Sequence, residues 1–288
     1  MIDSPAQPAD ATRAAQRSRW LSAALVVIAS LLVGATPLAQ LGRTLKPTRV
    51  SATASASPSS FPPPPLAPAL PPPVLPPTAP PTVAPPLLQQ SGPVPAHGKG
   101  EFSYAWGRGP VLGKAGAVRH FRVAVEQGSG EDVAAFATQV EATLGDQRGW
   151  IGDGKSRLQR VAGADRADFT VYLATRDTAA RMCRAAGTDI TVGGRPYTSC
   201  RTTGKAIINL DRWRLSAPPY VEAKVPLSVY RQYVINHEVG HEFGHHHEGC
   251  PKRGGPAPVM VQQTLTLRGC VPYAWPRRNG YRLAGPQL

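Results

Sequence analysis

The chain has 288 residues, a formal charge of +14 and 32 prolines, and 17 of the prolines fall between Ser51 and Pro95. That tract cannot form a packed core, which leaves a short N-terminal piece and one compact region from about residue 96 to residue 288. A region of that size buries enough apolar surface to fold unaided, so a disulfide-only miniprotein is excluded, and so is a multi-domain enzyme.

Arg13, Arg17 and Arg19 precede an uncharged apolar stretch from Trp20 to Leu41. The stretch is long enough to cross a bilayer core of about 30 Å. Its strongest part, Trp20–Val33, also suits the apolar region of a signal peptide. Pro37 sits near the small-residue sites where cleavage would occur, which favours an uncleaved signal-anchor over a cleaved leader and a secreted product. Either way the arginines stay inside and the rest is exported. The expected organisation is a cytoplasmic tail (1–19), a transmembrane signal-anchor helix (20–41), a disordered Pro-rich linker (42–95) and an extracellular domain (96–288) on the cell membrane. Polyproline II rises about 3.1 Å per residue, so the tract could lift the domain on the order of 100 Å through a wall layer.

Within 96–288, 26 Lys and Arg stand against 16 Asp and Glu. Such a surface favours anionic cell-wall polymers, although the compositional bias of a GC-rich genome produces the same excess. No run of five basic residues and no aromatic–basic interleaving exists, so no specific nucleic acid is expected as a partner.

The domain itself reads as α+β. Phe121–Gln127 alternates as a strand, and Glu131–Leu144 has helical spacing at Val133, Phe136, Val140 and Leu144. Asp168–Thr175 reads as a second strand, Ala179–Ala186 as a short helix and Lys205–Asp211 as a third strand. A helix then runs from Ser228, the expected N-cap after Pro226, to about Phe243. The four cysteines all lie in the exported region, where an even count implies two disulfides. Of three possible pairings the sequential one, Cys183–Cys200 and Cys250–Cys270, closes the shortest loops, each worth roughly 3 kcal/mol. A cysteine zinc site is the alternative, but no Cys-x-x-Cys spacing supports it.

Residues 236–251 read NHEVGHEFGHHHEGCP. On a helix, His237 and His241 share one face, about 5–6 Å apart at Cβ. Both imidazoles can reach one Zn2+ at about 2.0–2.1 Å. Glu238 lies beside His237, where it can face a water on the metal and act as the catalytic general base. A helix continued to residue 247 would carry that histidine about 15 Å along the axis, so the chain must turn, and Gly244 suits a left-handed helix end. His247 can then swing back as the third ligand. No Asp or Glu follows Glu248, which removes the downstream carboxylate that other His-Glu-x-x-His peptidases use. His245 would continue the helical face but about 12 Å from His237, too far for a shared ion.

The run His237-Glu238-x-x-His241-x-x-Gly244-x-x-His247 resembles the extended signature of the metzincin zinc endopeptidases. The resemblance implies a zincin-like fold, a twisted mixed sheet above an active-site helix, and a Met-turn below the metal. Met260, thirteen residues after His247, fits the turn. It also implies an edge strand over the cleft that pairs an extended peptide, for which Lys205–Asp211 is the candidate. The segment Tyr230–Thr264 further resembles an uncharacterised family of exported, zincin-like proteins of high-GC Gram-positive bacteria, a looser likeness extending over about residues 100–276. One departure stands out: several metzincins carry a tyrosine two residues after the methionine, and here that position is Gln262. Tyr273 and Tyr220 are the alternative donors.

The expected function is a membrane-anchored, extracytoplasmic zinc endopeptidase acting on protein or peptide substrates. The alternatives are a non-catalytic wall-binding or scaffold protein with a structural zinc, and a zinc amidase acting on wall peptides.

Overall fold

The computed structural model describes residues 85–288. The expected cytoplasmic tail, signal-anchor and most of the linker lie outside the described residues. Among those described, no helix is long and apolar enough to cross a membrane.

Strands β1 (Phe102–Tyr104), β2 (Val111–Leu112) and β3 (Ala117–Glu126) lead into helix α1 (Val133–Leu144). A short 3-10 turn at Trp150–Asp153 precedes β4 (Ser156–Arg160) and β5 (Phe169–Ala174). Helix α2 (Arg176–Arg184), the small hairpin β6 (Thr191–Val192) and β7 (Arg195–Pro196), and strands β8 (Cys200–Thr202) and β9 (Lys205–Asn209) follow. Short helices α3 (Leu210–Leu215) and α4 (Pro218–Glu222) then feed α5 (Leu227–Glu242), and the hairpin β10 (Arg277–Arg278) and β11 (Tyr281–Arg282) comes last.

The main sheet runs in the order β2-β4-β3-β5-β9-β8, and β1 also pairs with β3. The pairs β3–β4, β3–β5 and β5–β9 are parallel, whereas β1–β3, β2–β4 and β8–β9 are antiparallel. The fold is therefore α+β with a mixed sheet. Its centre is buried on both faces because side chains alternate across a strand. Phe169, Val171 and Leu173 of β5 join a core with Phe136 and Val140 of α1 and Tyr230, Val234 and Val239 of α5. Tyr172 and Ala174 of the same strand point the other way, toward Ala179, Ala180 and Cys183 of α2.

Among the described residues, the strands and helices expected for the domain form, with ends shifted by a few residues. In α1 the carboxylate of Asp132 accepts from the Ala135 amide at 2.7 Å, closing the helix start. In α5 the expected cap is corrected. The helix begins at Leu227, Pro226 holds the N-cap position in an extended conformation, and Ser228 lies inside the first turn. The free Leu227 N–H donates to the carbonyl of Leu87 at 2.8 Å, so no capping hydroxyl is needed there. That bond also moves the edge of the packed chain. Gln90 N–H donates to Arg214 O at 2.7 Å and Arg231 Nη2 to Gln90 Oε1 at 2.9 Å, so packing starts near Leu87, ahead of the expected boundary at residue 96.

Lys205–Asp211 is not the edge strand. Strand β9 pairs with β5 on one side and β8 on the other, and Asp211 already belongs to α3. The edge is β8, a three-residue strand turned back from β9 at Gly204, whose φ is +73°. A strand that short carries too little alternation to be seen from sequence.

Candidate metal centre

Helix α5 runs beneath the sheet against β9 and α1. Tyr230, Tyr233, Val234 and His237 recur on its buried face at helical spacing, which delivers His237 to the core side of the helix end. His241 follows one turn later, with its ring centroid 4.9 Å from that of His237. The helix stops at Phe243, and Gly244 takes a left-handed φ of +84°. A Cβ there would meet nothing within 4 Å, so it is the backbone angle, not lack of space, that favours glycine. The reversal brings the His247 ring within 4.8 Å of His241 and 5.4 Å of His237.

Each helical histidine is oriented through its far nitrogen. His237 Nδ1 donates to the carbonyl of Val259 at 2.8 Å, and His241 Nδ1 to that of His245 at 2.7 Å. Both Nε2 atoms therefore carry the lone pair a metal needs. The Nε2 atoms of His241 and His247 are 3.2 Å apart, and one nitrogen from each of the three rings lies within 4.8 Å of the others. Two nitrogens on a tetrahedral zinc at about 2.0–2.1 Å would be about 3.3–3.4 Å apart, which the His241–His247 pair matches, and the three rings together could hold a metal ion. Burial, reinforced by His241, holds the His237 imidazole well below the usual histidine range, and burial lowers His241 to about 4. Both are neutral, the ligating form, at neutral pH.

Glu238 is buried beside the three rings, and burial pushes its carboxyl up to about 8. It lines the same cleft as the histidines, a space of about 370 Å³ bordered by Thr198–Arg201 on the sheet-edge side and by Gln262 and Thr264 on the other. The cleft wall is tied to the helix end. The Glu242 carboxylate accepts from Arg201 Nε at 2.9 Å, from Lys205 N–H at 3.1 Å and from Gly204 N–H at 3.3 Å.

Met260 sits in the turn closed by Val261 N–H to Pro258 O at 3.0 Å, fully buried under the helix. Gly240 makes that approach possible, since a Cβ there would stand 2.6 Å from both Met260 Sδ and Trp150 Cζ2. The two disulfides pair as expected, Cys183 with Cys200 and Cys250 with Cys270. The first ties α2 to the edge strand, and the second ties the loop after His247 to the segment after Met260.

Neither alternative tyrosine faces the cleft. Tyr220 is fully buried and donates to Gln263 Oε1 at 2.8 Å, and Tyr273 donates to Arg277 O at 2.9 Å. Gln262 does line the cleft, as does Tyr233, whose hydroxyl donates to Val261 O at 3.1 Å. Sequence reasoning missed Trp150 as well. Its Nε1–H donates to Asn236 O at 2.9 Å, and its ring stacks on His245 at 4.5 Å, seating the carbonyl that orients His241. The only local signal was an isolated tryptophan 86 residues upstream of Asn236.

Comparison with curated proteins and with solved structures gave no match. A family model described as "Protein of unknown function (DUF3152)" matches residues 88–273, a span that takes in the main sheet, the three histidines and Met260. The match spans more than half of the chain, which belongs to that family.

Proposed function

We propose that the domain is a zinc-dependent endopeptidase with a zincin-like, metzincin-type centre, exported and held at the outer face of the membrane by the N-terminal segment. The observation that carries the reading is the convergence of His237, His241 and His247 on a cleft that the buried Glu238 also lines. The three imidazoles would hold Zn2+, which supplies the Lewis acidity that polarises water and a substrate carbonyl. A cation on the three histidines would favour the ionised form of the Glu238 carboxyl, which burial alone raises to about 8; as carboxylate, Glu238 takes the proton that the attacking water gives up and passes it to the departing amine nitrogen. Strand β8 offers its unpaired backbone edge to an extended peptide, which binds by strand addition along the cleft. Met260 forms the floor of the site and holds α5 at Gly240.

A zinc that only staples a fold takes four protein ligands and has no use for a neighbouring carboxylate. Three histidines with Glu238 beside them favour chemistry over a scaffold role. Two disulfides agree with an oxidising, extracytoplasmic compartment. The deciding experiment is metal analysis with peptide hydrolysis for the wild type and Glu238→Gln. One zinc per chain in both, with hydrolysis only in the wild type, is expected. A wild type that stays metal-free in zinc, or a variant that still hydrolyses, overturns the reading.

A further inference from the structure

His247 lies in irregular chain, so its position depends on what holds its loop. One side is held by the Met260 turn, where Glu248 N–H donates to Met260 O at 3.1 Å. The other side is held by Tyr281–Leu288, a segment beyond the family match. Leu288 N–H donates to His247 O at 3.1 Å, and Gly249 N–H donates to Pro286 O at 2.7 Å. A Cβ at Gly285 would collide with the Gly249 carbonyl, so the two stretches approach this closely only through glycine.

The side chain at the centre of this contact is Glu248, 2% exposed and adjacent to the third ligand. Its carboxylate accepts from Arg282 Nη2 at 2.9 Å and from Gly285 N–H at 3.1 Å. The Arg282 backbone is fixed in the β10–β11 hairpin, which Arg277 N–H anchors to Arg148 O at 3.0 Å. The Arg282 guanidinium also lies 4.9 Å from the centre of the Trp150 ring, the ring on which His245 stacks. One arginine thus touches both the carboxylate next to His247 and the platform under the carbonyl that orients His241.

We infer that Tyr281–Leu288 is a strap over the metal centre and that Arg282 is a positioning residue for its ligands, acting on His247 through Glu248 and on His241 through Trp150 and His245. The inference rests on the metal-centre reading above, not on hydrolysis. Its physical basis is the cost of an unpaired buried charge. Without Arg282 the Glu248 carboxylate must move toward water, and it draws the neighbouring His247 out of the ligating position.

The test uses the full chain, with zinc affinity measured by chelator competition and the visible spectrum of the Co2+ form as a report on the ligand set. Arg282→Met, which keeps much of the stem over Trp150, is expected to weaken zinc binding about 10–100-fold, as for other groups that orient metal ligands, and to alter the Co2+ spectrum. Adding Glu248→Gln removes the stranded charge, and the double variant is expected to recover to within about threefold of the wild type. Wild-type affinity and spectrum in Arg282→Met, or equal losses in the single and double variants, overturn the inference. Should Arg282→Met fail to fold, Arg282→Lys decides. Weaker zinc binding with faster amide exchange at Gly249 in the metal-free chain supports the strap, and wild-type behaviour in both overturns it. A wild type that binds zinc but cleaves no peptide sinks the endopeptidase reading alone, whereas one that binds no zinc sinks both.

Discussion

His241 Nε2 and His247 Nε2 stand 3.2 Å apart across the end of a helix, with a glycine reversal between them. His241 Nε2 carries a lone pair, and at that distance His247 Nε2 either donates a hydrogen to it or shares a cation with it. A bound ion would draw on both nitrogens. Replacing His247 by alanine should therefore lower zinc affinity by at least about 100-fold, more than the loss of an orienting neighbour does. Equilibrium dialysis against a chelator of known affinity measures it. An unchanged affinity would remove His247 from the ligand set.

Gly240 and Gly244 should fail for different reasons. A methyl at Gly240 must displace Met260 or Trp150, an overpacking that costs about 1–3 kcal/mol. A methyl at Gly244 has open space but a left-handed backbone angle, which costs roughly 1 kcal/mol. Thermal unfolding of the two metal-free variants should show the larger drop for Gly240→Ala. Zinc affinity should fall in both.

The Cys250–Cys270 bridge spans a sequence separation of 20 and joins the loop after His247 to the segment after Met260. Replacing both cysteines by serine should destabilise the fold by about 3 kcal/mol, the loop-closure value for a ring of that size. Because the loop carries a ligand, zinc affinity should fall as well. Denaturant unfolding with and without zinc separates the two effects, and a variant as stable as the wild type would mean that the loop is held by other contacts.

Acid sensitivity should have an identifiable contributor away from the histidines. Hydrogen bonds from Arg148 hold the Asp146 carboxyl below its usual value, with Arg148 Nη2 at 2.7 Å. A depressed folded value adds stability above the unfolded value of about 3.9, and that stability is lost as pH falls through the lower folded value. Asp146→Asn should thus be less stable than the wild type at neutral pH, with the difference closing as pH falls through the lowered folded value. Arg148 also lies over the Trp275 ring at 4.1 Å, so tryptophan fluorescence can follow the same transition. A pH-independent gap between the two proteins would contradict the assignment.

Local pattern carried a good deal of this architecture. Alternation in FRVAVEQ, and the apolar segments FTVYLA and KAIIN, read as strands, and all three are now seen at the centre of the sheet. Helical spacing places His237 and His241 on one face, and a glycine three residues after His241 marks the turn. Short loop closure selected both disulfides. These signals lie within about twenty residues, where backbone geometry alone relates one side chain to the next.

What the sequence by itself determined is the chemistry of the ligand segment, since two histidines one turn apart and a third after a glycine bend can be placed by rise and rotation alone. Only the tertiary structure decided which strand forms the edge of the cleft, which carbonyls orient the imidazoles and what holds His247 in place. Val259, Trp150, Glu242 and Arg282 act on the site through contacts 22 to 86 residues apart in the chain, between elements that share no periodicity. Such contacts exist only once the sheet and helix have packed, because their energy comes from burial and pairing that no local stretch of chain can supply on its own.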